Sequence, residues 1–95
     1  MTTINGTSGN DSLDGTASAD RISGFEGNDT LVGLAGQDTI LAGAGNDQID
    51  VYDNLAGDSI DGGLGYDNLT VHTNGASAVA LGKNIRGVEQ VAIDA

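Results

Sequence analysis

Seven aspartates, Asp11, Asp20, Asp29, Asp38, Asp47, Asp58 and Asp67, recur at intervals of nine residues, with a single interval of eleven between Asp47 and Asp58. Each closes a six-residue segment, and most of these segments are rich in Gly and Asn. A turn of that kind curls its backbone inward and presents several main-chain carbonyls together with one carboxylate. A second such turn stacked above it presents the same set. Together they supply two carboxylates and about four carbonyl oxygens, all hard donors, which suits the 6–8 oxygen ligands and irregular geometry of Ca²⁺. Zn²⁺ would call for His or Cys, and the chain has one His and no Cys. Mg²⁺ demands stricter octahedral geometry and keeps its waters, so a carbonyl-rich cage suits it poorly.

The elements that must position these groups follow from a second periodicity. Leu or Ile stands two residues after every one of the aspartates, at Leu13, Ile22, Leu31, Ile40, Ile49, Ile60 and Leu69. The units read GTSGNDSLD, GTASADRIS, GFEGNDTLV, GLAGQDTIL and AGAGNDQID without a gap; after Val51 and Tyr52 they resume as DNLAGDSID and GGLGYDNLT. A fixed period of this kind is the mark of a repeat architecture. In each unit the first six residues favour a turn, because Gly and Asn tolerate positive φ. The last three form a minimal strand with its middle side chain inward. One nine therefore makes a half-coil, and two make a full coil of a solenoid. Val51 and Tyr52 are expected to form a bulge. The inward aliphatics give a core only a column or two wide, too thin to hold the fold unaided, since repeat units bury surface by stacking.

This two-sided arrangement sorts the turns. One column takes GTSGND, GFEGND, AGAGND and GGLGYD, with Gly9, Gly27, Gly45 and Gly65 at the fourth position. The other takes GTASAD, GLAGQD and DNLAGD, with Ser18, Gly36 and Ala56 there, and is expected to be looser or more strained. Stacked pairs are then Asp11 with Asp29, Asp29 with Asp47 and Asp47 with Asp67, and opposite them Asp20 with Asp38 and Asp38 with Asp58. The pairing predicts about five Ca²⁺ ions.

Composition fits this reading. Asp plus Glu outnumber Lys plus Arg by 14 to 3, for a net charge of −11, and there are sixteen glycines, three aromatics and no Trp. Such a chain has too little apolar surface to offset its conformational entropy unless something neutralises the carboxylates. Five divalent ions, roughly +10, would nearly do so. A chain this acidic is not suited to bind nucleic acid or an anionic membrane. No apolar run approaches the length of a transmembrane helix, so no membrane insertion is expected. The N-terminus has neither the basic nor the apolar region of a secretory signal peptide.

The flanks read as caps. Residues 1–5 form an N-terminal cap strand, with Ile4 nine residues before Leu13 and expected to stack beneath it. Residues 6–70 form the repeat array. Residues 71–95 form a C-terminal capping segment with two alternating runs, Val79/Leu81 and Val91/Ile93, that would cover the open edge of the last coil. Lys83 and Arg86 read as solubilising charges on that cap. No phosphate-binding loop, dinucleotide fingerprint or EF-hand loop is present. His72 has no nucleophile partner and reads as a surface residue, and Glu26 and Glu89 are out of phase with each other. No catalytic constellation results, and the chain is not expected to be an enzyme.

The repeat resembles the RTX (repeats-in-toxin, hemolysin-type) calcium-binding nonapeptide, G-G-x-G-x-D-x-U-x. GGLGYDNLT matches every fixed position, AGAGNDQID all but the first, and GFEGNDTLV and GTSGNDSLD all but the second glycine. The resemblance implies an all-β fold, a right-handed parallel β-roll (β-solenoid) of about seven half-coils with a short C-terminal β cap. It also implies Ca²⁺ between successive turns, held by the seven aspartates and by carbonyls of the first four turn positions, among them Gly6, Gly9, Gly27, Gly36, Gly43, Gly45, Gly63 and Gly65. Phe25 and Leu34 depart from the pattern in place of the second glycine, and GTASAD and DNLAGD lose several fixed residues.

The resemblance further implies a bacterial protein exported by the type I secretion machinery, extracellular or at the cell surface, that folds on meeting calcium outside the cell. A capped roll predicts a monomer. A second function, recognition of a polysaccharide, a surface or ice, would need a regular ladder of one residue type or a basic stripe on the outward strand positions. Ser12, Asp14, Thr30, Val32, Gln48, Asp50, Asn68 and Thr70 on one face supply neither. Nor do Arg21, Ser23, Thr39, Leu41, Ser59 and Asp61 on the other. A third possibility is that the chain is a non-catalytic appendage of a secreted enzyme.

Overall fold

The computed structural model describes residues 2–34, 36–52, 58–72 and 85–94. Among the described residues, alternation of inward aliphatics with outward polar residues gives ten short strands: β1 (Thr2–Asn5), β2 (Ser12–Asp14), β3 (Asp20–Ser23), β4 (Thr30–Leu34), β5 (Thr39–Leu41), β6 (Gln48–Tyr52), β7 (Ser59–Asp61), β8 (Asn68–His72), β9 (Ile85–Arg86) and β10 (Gln90–Asp94). Odd-numbered strands make one five-stranded sheet in the order β1-β3-β5-β7-β9. Even-numbered strands make the other, in the order β10-β8-β6-β4-β2. All pairings are parallel, so the chain winds as a β-solenoid in which two nonapeptides complete a coil.

Register carries the repeat phase into space. Leu13 lies beside Leu31, Leu31 beside Ile49 and Ile49 beside Leu69 in the even sheet; Ile22 lies beside Ile40 and Ile40 beside Ile60 in the odd sheet. Ile22, Leu31, Ile40, Ile49, Ile60 and Leu69 are fully buried, while Leu13, in the second strand, is partly buried against them. Ala42, Val51 and Val71 join the core, also with no exposed surface. Ile4 pairs with Ile22, eighteen residues away, and not with Leu13: nine residues carry the chain to the opposite sheet, so the neighbour beneath a strand is two units distant.

The expected bulge at Val51 and Tyr52 is corrected by the register. These two residues extend β6, and they pair with Val71 and His72, which extend β8 in the same way. The irregularity falls instead between Val32 and Leu34 of β4, where Leu34 aligns with Val51. The inserted pair thus lengthens a strand and places a valine in the core, and the following coil repeats the arrangement. Beyond the array, β9 pairs with β7 and β10 with β8, adding one more strand to each sheet. The Val91/Ile93 run is therefore a strand, β10, whereas the Val79/Leu81 run, Lys83 and Ala56 lie outside the described residues. Among the described residues no helix is long and apolar enough to cross a membrane.

Candidate metal centre

Each repeat aspartate stands immediately before or at the start of a strand. Asp20, Asp29, Asp38, Asp47, Asp58 and Asp67 are all at most 2 % exposed. Burying a carboxylate is costly without hydrogen bonds or a counter-charge, and the structure supplies half of what is required. The Oδ1 of Asp29 accepts the main-chain N–H of Asp11 at 2.8 Å. Oδ1 of Asp38 accepts from Asp20 at 3.0 Å, Asp47 from Asp29 at 2.8 Å, Asp58 from Asp38 at 2.7 Å and Asp67 from Asp47 at 2.9 Å. The aspartates thus form two continuous ladders in the columns expected from the sequence, Asp11–Asp29–Asp47–Asp67 and Asp20–Asp38–Asp58.

The other oxygen is left without a partner. Among the described residues, Oδ2 of Asp29, Asp38, Asp47, Asp58 and Asp67 is buried and accepts no hydrogen bond. Native interiors rarely leave polar atoms in that state, and one oxygen of a buried carboxylate is a strong demand for a cation. The turn is shaped around this atom. A Cβ added at Gly24 would stand 2.6 Å from Asp29 Oδ2, at Gly33 2.9 Å from Asp38 Oδ2 and at Gly62 2.8 Å from Asp67 Oδ2. At Gly24, Gly33 and Gly62 a side chain would therefore crowd the carboxylate, whereas the Asp47 turn accommodates Ala42 at the same position.

Main-chain carbonyls lie close to the same space. A Cβ at Gly24 that met Asp29 Oδ2 would also stand 2.7 Å from the Ala42 carbonyl oxygen, and one at Gly62 would meet both Asp67 Oδ2 and the Gly87 carbonyl. The carbonyls of Gly9, Gly27 and Gly45 would meet a Cβ at Gly27, Gly45 and Gly65 one coil on, and those of Phe25 and Gly43 a Cβ at Gly43 and Gly63. In the other column the Ser18 carbonyl oxygen would lie 2.7 Å from a Cβ at Gly36. Among the described residues no three Asp, Glu or His side chains converge on one point. An ion here would take its remaining ligands from the main chain, which is a Ca²⁺ preference and not a Zn²⁺ one. The donors present fit a calcium ion between successive turns.

The electrostatics agree with a cation demand. Burial pushes the carboxyls of Asp29, Asp58 and Asp67 up from the ordinary 3.8, and those of Asp38 and Asp47 up to about 6. Carboxylates one coil away push Asp29, Asp38 and Asp47 in the same direction. Asp20 goes the other way: the main-chain N–H of Thr16, then its hydroxyl and contacts from Thr2, hold it below 3.8 against burial.

Three features of the site were not evident from the repeat. Fifth-position asparagines make a second ladder: Asn10 Oδ1 accepts the N–H of Asn28 at 2.7 Å, Asn28 that of Asn46 at 2.8 Å, and Asn46 that of Tyr66 at 2.8 Å. The signal was present, since GND recurs in three of the four turns of that column. Secondly, Glu89 ends the carboxylate ladder, its Oε1 accepting the N–H of Asp67 at 2.7 Å. The run Gly87-Val88-Glu89-Gln90-Val91 keeps the Gly-x-acid-x-aliphatic spacing of a repeat with Glu in place of Asp. Thirdly, Thr7 and Thr16 hold the two lowest carboxylates. His72, expected at the surface, is half-buried and stacks on Tyr52 with centroids 4.5 Å apart.

Comparison with known proteins gives one result of the same kind. The family model described as the RTX calcium-binding nonapeptide repeat, in four copies, matches residues 2–24 and again 23–54. Searches of curated proteins and of solved structures each found no match. The matched stretch spans more than half of the chain and contains Asp11 to Asp47; Asp58 and Asp67 lie beyond it and repeat the same geometry. The chain belongs to the RTX calcium-binding nonapeptide repeat family.

Proposed function

We propose that this chain is a non-catalytic module that folds when calcium binds between the turns of its β-roll. The observation that carries the reading is the set of five buried Asp Oδ2 atoms with no partner, one for each stacked pair of turns. Each ion would take an unpartnered Oδ2 and carbonyls from the turns on either side. Without ions, five buried carboxylates and a net charge of −11 oppose a core one or two aliphatic side chains wide. A ligand that binds only the folded chain shifts the equilibrium by mass action, and several sites multiply the shift. The chain would thus remain unfolded where calcium is scarce, pass through a type I secretion route in that state, and fold outside the cell as a monomer. Circular dichroism with chelator and with calcium tests this. A large gain of β signal on adding calcium is expected, and equal β content in the two conditions would refute it.

A further inference from the structure

The first turn of each column in this sequence, residues 6–11 and 15–20, is built differently from the described turns above it. Those carry Phe25, Leu34, Gly43 and Gly63 at the second position, and all four have positive φ, at 67°, 59°, 89° and 78°. Thr7 and Thr16 occupy the same position without entering the left-handed region. Their N–H groups therefore point into the turn. Thr7 N–H donates to Asp11 Oδ2 at 2.7 Å, and the Thr7 hydroxyl lies 3.0 and 3.2 Å from the two carboxylate oxygens. Thr16 repeats this on Asp20 at 2.6, 3.0 and 3.1 Å. Each hydroxyl also accepts a main-chain N–H, from Gly9 and Ser18, at 3.2 Å. Asp11 and Asp20 are accordingly the two repeat aspartates whose Oδ2 is not among the buried, unpartnered atoms.

We propose that Thr7 and Thr16 are column-end caps that stand in for an ion. Their N–H and hydroxyl groups occupy the Asp11 and Asp20 carboxylates, withdraw them from the calcium ligand set, and let the lowest turn of each column order without metal of its own. The physical logic is that of a helix N-cap, where a short polar side chain satisfies groups that have no neighbour to satisfy them. The ion above each cap then takes its one carboxylate from Asp29 or Asp38, as each ion higher up takes the one unpartnered Oδ2 of its pair. The proposal rests on the calcium reading of the interior turns and adds that two of the seven aspartates are not ligands.

Native mass spectrometry of the full chain in calcium, with the variants D11N/D20N and D47N, separates the two claims. Asn keeps an oxygen that can accept the Thr N–H but loses the charge an ion needs. Expected is a wild-type count of five, one per unpartnered oxygen, an unchanged count in D11N/D20N, and loss of at least one ion in D47N. A loss in D11N/D20N matching that in D47N overturns the cap proposal and leaves the calcium reading intact. A wild-type chain that binds no calcium overturns both. Should D11N/D20N fail to fold, hydrogen exchange on the calcium-loaded wild type decides. Slow exchange at the Thr7 and Thr16 amides supports the caps, and exchange at the rate of free amides overturns them.

Discussion

The two turn columns face each other across the same core, yet they are held by different means. Both have the carboxylate ladder, in which the Asp of one coil accepts the N–H of the Asp in the coil before it. The column containing Asp29 and Asp47 has the Asn ladder as well, running the opposite way: an Asn side chain accepts an N–H from the coil after it. Each interior turn there is tied in both directions. In the column containing Asp38 and Asp58 the fifth position holds Ala19 and Gln37, and among the described residues neither makes such a bond. The difference separates two functions that the repeat otherwise merges. The aspartate is what both columns share: it ties the coils together in each, and on the proposed reading it is also the carboxylate an ion would use. The asparagine is extra main-chain fastening on one side.

The sharpest way to break this comparison is to remove one interior carboxylate from each column. Asp47→Asn and Asp38→Asn should each raise the calcium midpoint for folding about ten-fold or more, because a charged ligand is lost from a cooperative array. The Asp38→Asn shift should be the larger, since its column has no second ladder to hold the turn. Equal shifts measured by calcium titration would mean that the Asn ladder contributes nothing.

Acidity tests both columns at once. Asp38 and Asp47 have folded-state values of about 6 against an ordinary 3.8. The metal-free folded chain therefore binds more protons than the unfolded chain in that window. Its stabilisation by protonation is complete below about pH 4 and is lost as pH rises through about 6. Calcium requires the ionised form, so its affinity changes in the opposite sense and weakens as pH falls through about 6. Circular dichroism in chelator should show β content increasing on acidification from pH 7 to 5, while ion occupancy at limiting calcium decreases.

Smaller effects sharpen the picture. Asn28→Ala removes the acceptor for Asn46 N–H and should cost about 1 kcal/mol in calcium-loaded denaturation, whereas Gln37→Ala across the roll should change little. A comparable loss at both positions would contradict the assignment of the ladder to one column. Phe25 and Leu34 sit at positive φ without being glycine, a conformation that costs roughly 1–2 kcal/mol in a residue bearing a Cβ. Phe25→Gly should therefore stabilise the loaded roll by about 1 kcal/mol, the strain relieved being offset in part by glycine's entropy. Leu34→Gly should do less, because Leu34 is half-buried in β4 and loses packing.

These residues also show how much could be read in advance. Asp and aliphatic phases were legible because each repeats in every unit, and the period alone dictated two columns and two sheets. Ala42, Val51 and Val71 were missed as core residues because they fall outside the aliphatic phase; only the strand extension in β6 and β8 turns the two valines inward. Thr7 and Thr16 stand where the repeat has its second glycine and were not singled out, because their hydrogen bonding to Asp11 and Asp20 depends on a φ that composition does not reveal. Glu89 was out of phase by spacing, 22 residues after Asp67 where stacked aspartates are 18 or 20 apart, yet its side chain accepts the Asp67 N–H all the same.

The central claim is that calcium between stacked turns makes the fold possible. It is tested most directly by titrating calcium into chelator-treated chain while following circular dichroism and counting bound ions by native mass spectrometry. The account predicts a cooperative gain of β signal that is complete when five ions are bound, one for each unpartnered Asp oxygen. A chain that shows its full β signal in chelator, with no ions bound, would contradict it.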